Sequence, residues 1–299
     1  MDNTSNRQMQ GDAFSQTSPG LFGGLQFIYV QDPMLELASY PSILIRQEPD
    51  FLESITGCET PNVYHVFGNS HMGFKYLFKC IEKSECCERF FCPSKQRQFD
   101  MDIIHCTSLN QLYMGYNVPF ANMQKPCMYT IGCFCRPEVT ITFTRSNAIV
   151  GKVVHIYTLC DPTFELYTKK GILKYIVTAS CCQCIFLFPG MIGKSYEGEF
   201  DIIDIISNQP VGKIIKEPAS MSELVTDADS YTINFPPNAT ANDKLLLMGL
   251  TIMLDYQYFE TNANNEKNKR RRRGGYGSSG GRMHIRMGRG RKKFGRRRH

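Results

Sequence analysis

Residues 139–145, VTITFTR, set Val139, Ile141 and Phe143 against Thr140, Thr142 and Thr144. Alternation of this kind gives a pleated strand one apolar and one polar face. SYTINFP does the same with Tyr231, Ile233 and Phe235. Further runs of this type are LQFIYV, SILIRQ, NVYHVFG, FKYLFKCI, FDMDIIHC, IVGKVVHIYT, TFELYT, LKYIVTA, CIFLFP, EFDIIDII and VGKIIKE. Each is short, rich in β-branched and aromatic residues, and bounded by Gly, Pro, Asn or Asp. About a dozen such strands predict one mainly-β domain, a closed barrel or a sandwich. Helical patterning is clear only at 242–259, with a weaker signal at PDFLESIT.

That late helix holds the uncharged run Leu245 to Leu254, in which Leu245, Leu246, Leu247, Met248, Leu250, Ile252, Met253 and Leu254 surround Gly249 and Thr251. Ten helical residues span about 15 Å, half the roughly 30 Å of a bilayer's hydrocarbon core. Extending the run to Phe259 places Asp255 and Gln257 in lipid, where a central Asp costs about 2.5–3.5 kcal/mol. A short helix that is apolar nearly all round belongs in a protein core. Asn242 is the candidate N-cap. A dozen strands wrapped on such a helix need no membrane.

Charge divides the chain. Fifteen of its 34 Lys and Arg lie from Lys267 onward, whereas every one of its 28 Asp and Glu lies at or before Glu266. Residues 1–266 therefore carry a net charge of −9 and the last 33 residues +15. The expected organisation is a disordered lead at 1–20, a barrel domain at 21–262 and a disordered Arg/Gly-rich tail at 263–299. The polar lead has no signal-peptide core, and 13 cysteines in a chain without one suggest a reducing compartment.

The cysteines cluster as ECCERFFC, CMYTIGCFC and SCCQC. Cys181 and Cys184 alone have C-x-x-C spacing, which is too little for a zinc ribbon. Three readings stay open: small buried hydrophobes, metal ligands gathered by the fold, or thioester-linked acyl chains. For acylation the best candidates are Cys133 and Cys135, with Cys127 nearby, because stable anchoring takes two chains.

In register along the chain, several segments resemble the phospholipid scramblase family. These are SILIRQEPDFLESITGCETPNVYHV, SECCERFFCPS, CFC, VGKVVHIYTLCDPTFEL, VGKIIKE, TDADSYTINFP and LMGLTIMLDYQYFE, and the resemblance runs from about residue 19 to residue 261. The resemblance implies a tubby-like fold, a twelve-stranded antiparallel barrel around a buried C-terminal helix. It implies calcium-stimulated, ATP-independent movement of phospholipids between leaflets, with membrane phospholipids as partners and palmitoylated cysteines at the plasma membrane's cytoplasmic face. Direct scrambling by so filled a barrel calls for a homo-oligomer, bilayer distortion or a true span.

The resemblance also implies a calcium segment comprising Asp227, Asp229, Tyr231, Ile233 and Asn238. Calcium takes about six to eight oxygen ligands, and here Thr232 replaces the turn glycine and Asn238 the final acid, so binding should be weak. The competing reading is a turn capped by Asp227. Phe134 stands where the family has proline. The basic tail, with Arg270, Arg271, Arg272, Arg273, Arg291, Lys292 and Lys293, is atypical of the family. Its Arg-Gly spacing with Tyr276 and Phe294 suits RNA, anionic lipid or nuclear import, or a solvated tail with no dedicated partner. The alternative to a scramblase is thus a nucleic-acid or anionic-lipid binding protein using the barrel as scaffold, with the nucleus as a second location. No G-x-S-x-G, P-loop or H-E-x-x-H sequence points to an enzyme.

Overall fold

The computed structural model describes residues 32–48, 61–70, 73–83, 98–106, 118–126, 137–158, 160–187, 196–218 and 229–259. Alternating sequence becomes wall. Twelve strands run β1 Ser42–Gln47, β2 Val63–Ser70, β3 Gly73–Glu82, β4 Phe99–His105, β5 Pro119–Lys125, β6 Glu138–Phe143, β7 Ile149–Ile156, β8 Thr163–Thr168, β9 Leu173–Thr178, β10 Gly198–Asp204, β11 Gln209–Lys216 and β12 Ser230–Asn234. Each pairs antiparallel with its sequence neighbours, and β1 closes on β12 through Ile43↔Ile233 and Ile45↔Tyr231. Closure removes every free sheet edge.

The predicted faces are the observed ones. Val139 and Ile141 of β6 point inward, as do Tyr231 and Ile233 of β12, and all four are buried. Helix α1 is Pro33–Ser39 and α2 the single turn Cys184–Leu187. The barrel's interior is occupied by α3, Ala241–Leu254, whose residues from Asp243 to Leu254 are all buried. A wider π-helical turn, Asp255–Phe259, continues it.

Thr240, not Asn242, is the N-cap of α3. Its hydroxyl accepts from the Asp243 N–H at 3.3 Å, while the Asp243 carboxylate accepts from the Thr240 N–H at 2.7 Å. This reciprocal capping box satisfies two backbone donors at the helix start. Lys174 of β9 binds the same carboxylate at 2.5 Å. The Lys244 ammonium donates to the Ala38 and Tyr40 carbonyls at 2.7 Å, tying the end of α1 to the start of α3. In the middle of the helix, the Thr251 hydroxyl donates to the Leu247 carbonyl at 2.9 Å and so needs no outside partner.

Among the strands, two segments differ from their sequence reading, and α1 is a helix that the periodicity does not signal. CIFLFP, expected as a strand, begins as α2. The Gln183 carboxamide takes the N–H and carbonyl of Glu199 at 2.8 and 2.7 Å, the backbone groups a new strand would need. Phe186 instead packs edge-on to Phe200 and Tyr258. Conversely, PFANMQK gave no strand signal yet forms β5. Its Ala121, Met123 and Lys125 point inward, and Asn122 and Gln124 bond outward to Asp100 and Asp102 of β4. LQFIYV and PDFLESIT lie outside the described residues.

Candidate functional site at the end of the central helix

At the barrel end where α3 exits, the inward stripe changes from apolar to polar. On β3 the inward series Phe78, Cys80 ends in Glu82, and on β5 Ala121, Met123 ends in Lys125. On β11 Ile214 is followed inward by Lys216. Each charged residue keeps the two-residue parity of its strand, which fixes it to the core side. All three are buried.

The helix meets this layer with its own polar residues. Asp255 accepts hydrogen bonds from the Tyr64 hydroxyl at 2.6 Å and the Tyr231 hydroxyl at 2.7 Å. Tyr256 donates to Glu82 at 2.7 Å, accepts from the Asn62 side chain at 3.0 Å, and stacks on Phe99. Tyr258 bonds His155 at 2.9 Å. Lys216, fully buried, donates to Asp229 at 2.7 Å and lies over the rings of Tyr231 and Phe259. Burial pushes the Asp255 carboxyl up to about 7, and the nearby Asp229 charge adds to it; the two tyrosine hydroxyls and Lys216 pull the other way. Burial also holds the Tyr258 phenol well above its ordinary range.

Of the residues assigned to calcium, Asp227 lies outside the described residues. Asp229 is only 3% exposed and faces Lys216. The Tyr231 hydroxyl donates to Asp255, Ile233 is in the apolar core, and Asn238 is exposed beyond the other end of β12. The five residues of β12 alone rise about 17 Å, so Asp229 and Asn238 do not converge on one cation. The described part of the segment is a strand welded into the core, and its donors do not fit a calcium ion. Lys216, which decides the role of Asp229, was missed in the sequence; the signal was its parity with Ile214.

Cys127, Cys133, Cys135 and the tail residues Arg270, Arg271, Arg272, Arg273, Arg291, Lys292 and Lys293 lie outside the described residues. The strands on either side of the cysteine run, β5 and β6, meet it at the helix-exit end, and the described chain stops at Phe259 at that same end. Leu245 through Leu254 line the barrel's interior. Among the described residues no helix is long and apolar enough to cross a membrane. Cys80 and Cys106 are buried free thiols whose pKa values burial raises. Cys181, the first cysteine of the C-x-x-C, is bonded to Cys160.

Comparison with known proteins bears on this architecture. The sequence profile of the family described as "Scramblase" matches residues 25–261, the whole barrel and its helix. The chain belongs to the scramblase family. It is 28% identical over 264 residues to "Phospholipid scramblase 1" of Rattus norvegicus, covering 83% of this chain and 71% of that one. It is 29% identical over 245 residues to "Phospholipid scramblase 1" of Homo sapiens, covering 79% and 68%. With "Phospholipid scramblase 2" of Bos taurus it shares 29% over 238 residues, covering 76% and 72%. A scramblase-family barrel, then, is closed at one end by a buried layer of acids, lysines and tyrosines. The cysteine run and the basic tail are tethered to that same end.

Proposed function

We propose that this protein promotes movement of phospholipids between the leaflets of a membrane without ATP. It acts from the cytoplasmic face of the plasma membrane, held there by acyl chains on Cys133 and Cys135 and by its polycationic tail. The observation that supports this reading is the family match, which spans the barrel and helix without a break. Because α3 fills the barrel, lipid does not pass through its bore. The work is done at the membrane surface by bending or thinning the bilayer, in concert with further copies of the chain. Calcium stimulation belongs to the reading as the family's property; Asp229, committed to Lys216, is given no direct part in it.

The filled barrel favours a second reading, a scaffold whose tail binds nucleic acid or anionic lipid, with the nucleus as a further location. Purified chain in proteoliposomes carrying a fluorescent phospholipid separates the two. The first reading expects the outer-leaflet fraction accessible to an impermeant quencher to rise from about half towards completion, faster with calcium. An unchanged fraction, together with binding of RNA or DNA that is lost on deleting residues 263–299, would leave only the second.

A further inference from the structure

Cys160 and Cys181 are joined across the base of a hairpin whose alignment does not depend on them. Just inside the disulfide, Thr163 and Thr178 are register partners, and their hydroxyls lie 3.0 Å apart. The two cysteine Cα atoms are 5.7 Å apart. Asp161 completes the group: one of its carboxylate oxygens accepts the Cys181 N–H at 2.9 Å. Its carbonyl oxygen accepts from the hydroxyls of Thr158 and Thr163. The two sulfurs and a carboxylate oxygen all lie within 4.8 Å of one another. Cys160 and Asp161 are exposed to solvent, and among the described residues no Lys or Arg pairs with Asp161.

We propose that this cluster is a two-state thiol site that takes zinc when reduced. Two equivalents of a small-molecule thiol supply the two electrons and two protons that open the Cys160–Cys181 bond, and leave as their own disulfide. Zinc then displaces both thiol protons to solvent and is held by two thiolates and the Asp161 carboxylate. Two soft sulfur donors with one oxygen suit zinc rather than calcium or magnesium. In a tetrahedral site the sulfurs stand about 3.8 Å apart, a separation that side-chain rotation reaches from these Cα positions. The Cys181 N–H orients the carboxylate, as outer hydrogen bonds commonly do for metal ligands. Exposure leaves the fourth position to water. Cys80 and Cys106, by contrast, are sealed in the core.

This inference does not rest on lipid movement and is tested without it. The full-length chain, reduced and stripped with a chelator, is titrated with zinc, and each cysteine's resistance to alkylation is read by mass spectrometry. Cys160 and Cys181 should become protected together at one equivalent, and neither should bind zinc while disulfide-bonded. Asp161→Asn should weaken that protection by about tenfold or more. Cys182→Ser, altering the exposed neighbouring thiol, should leave it unchanged. Alkylation of Cys160 and Cys181 at the same rate with and without zinc in the reduced wild-type chain overturns the proposal. So does an Asp161→Asn chain that protects them as well as wild type.

Discussion

Asp255 binds a proton in the folded chain over a range in which the unfolded chain has released it. Its carboxyl stands at about 7 because it is buried beside Asp229, despite two tyrosine hydrogen bonds and the Lys216 ammonium, whereas an unfolded Asp titrates near about 3.9. The folded state therefore holds more protons between these values, and this group's contribution to stability falls as pH rises from about 4 through 7. The groups facing it come from three strands and the residue just before β12: Tyr64, Tyr231, Lys216 and Asp229. Thermal unfolding followed from pH 5 to pH 8 should show the melting temperature dropping through neutrality. Asp255→Asn should flatten that drop. A pH profile that the substitution leaves parallel to wild type would show that Asp255 is charged throughout this range.

At the scale of elements, the decisive contacts lie between α3 and the wall. Gly151 of β7 is there because no larger residue fits: a Cβ would stand 2.4 Å from the Tyr167 carbonyl oxygen of β8 and 2.7 Å from Leu246 of α3. The backbone atom cannot yield without opening the β7–β8 ladder. Gly151→Ala should therefore destabilise the barrel by about 1–3 kcal/mol or more, read as a lower urea midpoint. The equivalent change at Gly171, in the β8–β9 turn with φ +73° and open space around it, adds backbone strain alone. Equal stability of Gly151→Ala and wild type would mean that helix and wall are less closely packed. The strands themselves were largely legible, because half-burial imposes a two-residue period on each. PFANMQK escaped because its outward positions carry amides that bond to Asp100 and Asp102, in place of β-branched residues. CIFLFP misled because an apolar run reads the same whether it lines a wall or plugs its mouth. The buried polar layer was hidden for a different reason: Asp229 and Lys216 are 13 positions apart and meet only when β11 pairs with β12.

The two ends of the barrel differ. Arg145, Lys169 and Lys170 lie with exposed Ile172 and Ile206 in the hairpin turns β6–β7, β8–β9 and β10–β11, around the end where α3 enters. The cysteine run and the tail are tethered at the end where α3 exits, and +15 of tail charge is worth about 1 kcal/mol per basic residue near an anionic surface. On the function proposed above, attachment through those two elements would turn the exit end towards the bilayer and leave the hairpin tips in water. An environment-sensitive unnatural amino acid placed at Ile206 of the full chain should therefore report the same polarity with and without vesicles containing phosphatidylserine. Placed at Tyr196, an exposed residue just before β10 at the exit end, it should report a drier setting once vesicles are added. Removing residues 263–299 should abolish that shift in unacylated protein, and raising salt should weaken it, since the Debye length falls to about 3 Å at 1 M. If instead the probe at Ile206 moves into the apolar phase, the exposed apolar tips and their basic neighbours are the membrane-facing surface, and the cysteine run is not what orients the barrel.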